Sequence, residues 1–207
     1  MNRLRKCFDK HNCDKGRKHQ YERCYEPHFE SKREEAINIL EIGCFLGEST
    51  AAFLEYFPNA TIYTIDIFDR HPPEDVAVLK EERVKWMKYN SMSAGLPSKI
   101  RSEWGGDIEF DFIIDDGAHW PEANRLTFEN CFQFLKKDGT YFIEDVWMLD
   151  KMQGTHYWVA RKPQRYNILE HSRLMSSIEK YEVKHYDYRK EKESDTYILA
   201  IQANEDD

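Results

Sequence analysis

Apolar and polar positions along this chain alternate between two kinds of segment. Short apolar runs stop abruptly at acids, and longer amphipathic runs are closed by proline or glycine. Residues 36–43, AINILEIG, are apolar on both sides of the pleat and end in an acid and a glycine, the pattern of a buried parallel strand. Residues 47–58, GESTAAFLEYFP, predict a helix: Gly47 opens it, Ala51, Phe53, Leu54 and Phe57 supply an apolar face, and Pro58 closes it. Further strands are predicted over 59–68 (ending at Asp66), 82–91 (with weak alternation), 109–116 and 140–147. A helix is predicted over 121–139, with Pro121 at its start, lysines at its end and Gly139 as C-cap. A second follows over 164–181. The chain closes with two β-rich segments, 181–189 and 194–203, joined by the charged turn KEKES as an antiparallel hairpin.

Strands alternating with helices predict an α/β fold with one doubly wound, mostly parallel sheet of about seven strands, the last antiparallel, and helices on both faces. Residues 1–30, the DRHPPEDV segment and residues 147–163 carry the least pattern. The expected division is an N-terminal arm or lid over 1–35 and a single catalytic domain over 36–207.

Composition narrows the class. Of the 207 residues, 41% are hydrophobic and 33% charged, which suits a folded globular protein with one substantial core. No apolar run approaches the roughly 18 residues that span a membrane. The basic start lacks the apolar stretch of a signal peptide. The five cysteines are odd in number, so reduced thiols and a cytoplasmic location are expected. Cys7, His11, Cys13, His19 and Cys24 crowd one segment, but without a C-x-x-C pair their spacing argues against zinc. The net charge of -8 argues against a nucleic-acid partner for the chain as a whole, despite the basic first twenty residues.

In an open α/β sheet, ligands bind at the carboxyl ends of the strands, where strand order reverses. Strand one ends LEIGCFLGEST, a glycine turn that is neither G-x-G-x-x-G nor a phosphate loop. Asp66, about 20 residues on, suits a ribose diol; an ordinary tight turn is the alternative. Residues 110–120, FDFIIDDGAHW, end strand four in Asp115 and Asp116, and the strand at 140–147 carries Glu144 and Asp145. If these strands are neighbours, four carboxylates crowd tips roughly 5 Å apart and repel unless a proton or cation intervenes. All-oxygen donors point to Mg²⁺, or else Mn²⁺ or Ca²⁺, rather than zinc. N-capping accounts for one aspartate but not for all four acids. His119, just beyond, suits a general base near neutral pH.

Together LEIGCFLGEST, IYTIDIF, FDFIIDDGAHW and GTYFIEDVW resemble a class I S-adenosylmethionine (SAM)-dependent methyltransferase, and more narrowly the metal-dependent sugar O-methyltransferases of the macrolide-glycoside type. DKGRKHQYERCYE (14–26) is similar to a pattern that precedes the first strand in that family, so the resemblance runs from about Asp14 to Asp145. It implies that Gly43 and Gly47 line the methionine part of the cofactor, with Glu41 beneath and Ser49 also on the cofactor. It implies that Asp66 holds the ribose, Asp115 sits on the cofactor side, and Asp116, Glu144 and Asp145 hold Mg²⁺. His119 is then the base, and residues 1–35 fold over the pocket. The implied acceptor is a small molecule, a sugar diol first and a catechol second. A non-catalytic SAM-binding module is the alternative from another class; a homo-oligomer is compatible with either. Two departures stand out. The third strand ends YNSMS where relatives place Gly-Asp, and residues 146–167 follow no family pattern. There Trp147, His156, Tyr157 and Trp158 are candidates to stack on a sugar, and Arg161, Lys162 and Arg165 to meet an anion.

Overall fold

The computed structural model describes residues 2–151, 160–191 and 196–203. Seven strands form one sheet in the order β3-β2-β1-β4-β5-β7-β6. They are β1 (Asn38–Ile42), β2 (Thr61–Asp66), β3 (Val84–Lys88), β4 (Phe110–Asp115), β5 (Leu135–Ile143), β6 (Glu182–Asp187) and β7 (Tyr197–Gln202). The first five pair in parallel, and β7 runs antiparallel between β5 and β6. This is the doubly wound sheet expected, closing hairpin included. Residues 192–195, most of the KEKES turn, lie outside the described residues. No helix among the described residues is long and apolar enough to cross a membrane.

Alternation along the buried strands sends side chains to two cores. Ile39, Ile62, Phe112, Ile114 and Phe142 face one side. Leu40, Ile42, Ile65, Ile113, Tyr141 and Ile143 face the other. Helix α3 (Glu48–Tyr56) covers the first face. The second is covered by α4 (Leu96–Trp104), α5 (Pro121–Cys131) and α6 (Ile168–Ile178).

Three stretches differ from the sequence reading. Residues 3–32, read as patternless, are helical: α1 (Arg3–Lys10), a π-turn at Lys15–His19, α2 (Glu22–Phe29) and a short 3₁₀ turn. Leu4, Phe8, Tyr25 and Phe29 have no exposed surface and join the core of the first face. The chain between β3 and β4 forms α4, the crossover that a parallel connection needs. The helix at 121 ends at Cys131, and Gly139 lies inside β5 instead of capping a helix. Pairing between β4 and β5 shifts register between Phe110 and Phe112. The bulged residues are tied down by Lys136, whose Nζ is 2.9 Å from the buried Asp111. A Cβ on Gly139 would fall 2.9 Å from the Asp111 carbonyl oxygen, so the close approach there requires glycine.

The N-terminal helices also bring a buried histidine to the sheet. His28 Nε2 lies 3.0 Å from the Tyr186 hydroxyl, and its ring meets Phe142 edge-on. Burial, aided by Lys184, pushes its pKa down to about 4. The unfolded chain therefore takes up this proton first as pH falls from about 6.5. The stability contributed by His28 is complete above that value and is lost progressively toward pH 4. Melting temperatures at pH 7.5 and 5 are expected to differ less for His28→Gln than for the wild type. Equal acid sensitivity in both would locate the effect elsewhere.

Candidate active site

Strand order reverses between β1 and β4, and a cavity of about 850 Å³ opens at their carboxyl ends. That volume suits a cofactor together with part of a second ligand. Backbone bonds lock the tips together: Asp116 N donates to Ile42 O at 2.9 Å, Gly43 N to Ile65 O at 2.9 Å, and Glu144 N to Asp115 O at 3.0 Å. Gly43 has φ +91°, and a Cβ there would lie 2.2 Å from the Asp116 carbonyl oxygen. Only glycine lets the first turn pass so close to the fourth tip. Four non-glycine residues of the cavity wall, Phe45, Phe68, His119 and Asp145, also have positive φ between 48° and 59°. Such strain gathers where a structure holds side chains for a ligand.

Gly43, Ser49, Asp66, Asp116, His119, Glu144 and Asp145 line the cavity. Glu41 and Asp115 are buried behind it. Glu41 accepts the hydroxyls of Ser49 and Thr50, each at 2.5 Å, and fixes the start of α3 from beneath. Asp115 accepts from Asn124 Nδ2 and Gly117 N, both at 3.3 Å; burial raises its pKa to about 7 against the pull of Asn124. Gly47, with φ +81°, packs against Val78. The YNSM residues that follow β3 line the cavity despite departing from the Gly-Asp pattern.

Asp66 holds the turns around it. Its Oδ2 accepts from Cys44 N at 2.7 Å and Phe45 N at 3.1 Å, and its Oδ1 from Phe68 N at 2.6 Å. With two lone pairs per oxygen, Oδ1 retains one acceptor position, enough for a single ribose hydroxyl. Asp66→Ala is therefore expected to lower the melting temperature of the ligand-free protein as well as affinity for S-adenosylhomocysteine (SAH), the loss of these bonds costing about 1–3 kcal/mol. An unchanged melting temperature would show that the turns stand without it.

Ligand atoms of Asp116, His119 and Asp145 lie within 4.8 Å of one another, the one group of this kind among the described residues. His119 Nε2 is 3.6 Å from Asp116 Oδ1, beyond hydrogen-bond distance. Burial lowers the pKa of His119, but Asp145, Asp116 and Asp115 together overcome this and raise it. The Glu144 carboxylate accepts from Lys15 Nζ at 2.7 Å and from the Tyr25 hydroxyl. Lys15 Nζ also lies 2.5 Å from Asp116 Oδ2, and Tyr21 donates to Asp145. Sequence reasoning does not assign these three N-terminal partners of the acids, although DKG…Y…Y, the pattern that carries them, is visible in it. The cysteines of that segment are buried free thiols, and His19 bonds Thr196 at 2.8 Å.

At the far wall stand Trp147, Lys162, Arg165 and Tyr166. The Arg165 guanidinium lies 4.4 Å over the Trp120 ring, and Trp147 meets Tyr166 at 5.4 Å. Arg161 is exposed outside this lining, and His156, Tyr157 and Trp158 fall outside the described residues.

Comparison with known proteins gives the family and the fold. The chain is 30% identical over 146 residues to 8-demethyl-8-(2-methoxy-alpha-L-rhamnosyl)-tetracenomycin-C 3'-O-methyltransferase of Streptomyces olivaceus, covering 67% of this chain and 35% of that protein. It is 28% identical over 141 residues to mycinamicin VI 2''-O-methyltransferase of Micromonospora griseorubida, covering 65% and 31%. The chain thus spans about a third of the length of these curated relatives. The fold matches that of the MycE methyltransferase of the mycinamycin biosynthetic pathway, solved with Mg, SAH and mycinamycin VI, with a TM-score of 0.71 at 21% identity, over 99% of this chain and 54% of that one. A family model described as "Methyltransferase domain" matches residues 40–146, from β1 past the acidic tip of β5, and by that match the chain belongs to the methyltransferase-domain family.

Proposed function

We propose that this chain is a SAM-dependent, Mg²⁺-dependent O-methyltransferase whose acceptor is a vicinal diol, most simply that of a sugar. The observation that carries the reading is the convergence of Asp116, His119 and Asp145 beside the Gly43 turn, inside the cavity at the switch point. Support also comes from the O-methyltransferases among the relatives, named for a rhamnosyl-tetracenomycin and for mycinamicin VI. The donor set fits the metal: two carboxylates at one edge of an open cavity leave positions for water and acceptor oxygens, as Mg²⁺ prefers.

When bound, SAM supplies a sulfonium methyl, and Mg²⁺ lowers the pKa of an acceptor hydroxyl held at the same site. The remaining work belongs to the chain. Asp116 and Asp145, together with Glu144, would hold the metal. Glu41, which holds Ser49 and Thr50 at the start of α3, would sit beneath the methionine part of the cofactor, and Asp66 would hold the ribose. His119, in the cavity lining with Nε2 3.6 Å from Asp116 Oδ1, would take the proton of the acceptor hydroxyl. Trp120 and Trp147 give the acceptor an apolar wall. Much of the rate enhancement would come from this alignment.

Methyl transfer from SAM to a panel of glycosides tests the reading. Turnover is expected with Mg²⁺, to vanish in excess EDTA, and to return when Mg²⁺ is restored. Full turnover in excess chelator would sink the metal assignment. A panel in which only catechols react would move the acceptor class.

A further inference from the structure

The residues read as holding cofactor and metal leave one wall of the cavity to the second ligand. Gly43 and Asp66 stand at the tips of β1 and β2, and Asp116 and Asp145 follow the tips of β4 and β5. The remaining wall is built by Trp120, Trp147, Lys162, Arg165 and Tyr166: three aromatic side chains, two cations and no acid. Every acid of the lining belongs to the N-terminal segment, the start of α3, the chain after β2 or the strand tips. The other permanent cations of the lining stand elsewhere. Lys15 is held by Asp116 and Glu144, and Arg70 follows β2.

One anchored turn presents both cations. The Lys162 carbonyl accepts from Arg165 N at 2.9 Å and Tyr166 N at 3.1 Å. The Tyr166 ring rests on the buried Trp147, and Asn167 caps α6 by accepting from Leu169 N at 2.8 Å. The Arg165 guanidinium lies 4.4 Å over the Trp120 ring, next in sequence to His119. Stacking occupies the face of the guanidinium and leaves its N–H edge to meet an anion in the plane. Among the described residues no carboxylate pairs with it. An arginine kept only to cover Trp120 would not call for a second cation three positions away on the same wall. We propose that Lys162 and Arg165 recognise an anionic group, a carboxylate or a phosphate, on the acceptor. The substrate is then an acidic glycoside, with its diol toward Asp116 and Asp145 and its anion beside Trp120. This rests on the O-methyltransferase reading above and names the acceptor class within it.

Matched glycosides test this. Methyl hexosides of gluco, galacto and manno configuration, their uronic acids, and their phosphate esters at the same exocyclic carbon are titrated calorimetrically into protein saturated with SAH and Mg²⁺. The three forms of each sugar share their ring diols and differ in the exocyclic group alone. At least one anionic form is expected to bind about tenfold tighter than its neutral partner, the size of a charge-assisted contact. Which form does so tells carboxylate from phosphate. In the double variant Lys162→Gln/Arg165→Gln that preference is expected to fall to within about twofold of parity, with SAH affinity reporting that the variant is folded. Two results overturn the proposal: no anionic form binds tighter than its neutral partner, or the preference survives in the double variant. Methyl transfer from SAM to the same glycosides separates the two readings. Binding that depends on Lys162 and Arg165 without any transfer removes the O-methyltransferase reading and leaves the anion site. Transfer to neutral and anionic forms alike removes the anion site and leaves the O-methyltransferase reading.

Discussion

Replacing His119 is expected to lower turnover by roughly 10²–10⁴ while SAH affinity stays within about twofold, the usual size of a general base's contribution. The ring projects from a residue with φ +59°, immediately before the helix that starts at Pro121. Alanine is strained at such a φ and asparagine is tolerated there, so His119→Asn is the cleaner variant and should fall as far as His119→Ala. The base works only when unprotonated, so wild-type activity should rise with pH. Burial alone would put the midpoint below the ordinary histidine value, but Asp145, Asp116 and Asp115 lift it above. Added Mg²⁺ brings positive charge to the same acids and should move the midpoint back down. Both variants should lose this limb of the profile. Wild-type turnover and an unchanged profile in either would make the histidine structural.

Phe29→Ala should destabilise the chain by about 3–5 kcal/mol, lowering the melting temperature by on the order of 10 °C. Phe29 has no exposed surface, and its ring lies 4.6 Å from Phe112, 4.9 Å from Tyr25, 5.1 Å from Phe57 and 5.7 Å from Phe142. The neighbours come from β4, β5, α2 and the end of α3, so the cavity left behind cannot close by moving one of them. Thermal melts monitored by circular dichroism would measure the loss. A fall of less than about 2 °C would mean that residues 1–35 sit on the catalytic domain as an arm and not within its core. Tyr25, one helical turn before Phe29, bonds Glu144, so the same variant should also loosen the site.

The strand tips are legible because a parallel strand buried on both faces has no reason to end in acids. "FIIDD" and "FIED" therefore mark function in the bare order of residues. The N-terminal helices are hidden by their charge. Leu4, Cys7 and Phe8 do follow helical spacing, as do Tyr21, Cys24 and Tyr25, but each group is set among lysines, arginines and acids, and Pro27 interrupts the second. Helix α4 buries little beyond Leu96 and Ile100, too thin a stripe to read. "KKDG" has the composition of a helix end, and the bulge it forms depends on Asp111, which the local pattern cannot include. In the site, the acids and His119 can be named one by one. Which acid takes which partner cannot, because Lys15 is 101 positions from Asp116 and 129 from Glu144.

The contacts of the N-terminal helices with the final hairpin set an order of events during synthesis. His19 bonds Thr196, His28 bonds Tyr186, and Arg23 lies 4.3 Å over the Tyr188 ring. Ile198 and Ala200 of β7 belong to the same core as Leu4 and Phe8. The ribosome delivers His19 177 residues before Thr196 and His28 158 residues before Tyr186, at about 5–20 residues per second. Helices α1 and α2, which can pack on α3, β4 and β5 earlier, therefore wait for some ten seconds or more for the part of their cover that β7 brings. A nascent chain stalled before β7 would already hold Lys15 and the acids of β4 and β5, but with the core of the first face open where Ile198 and Ala200 belong.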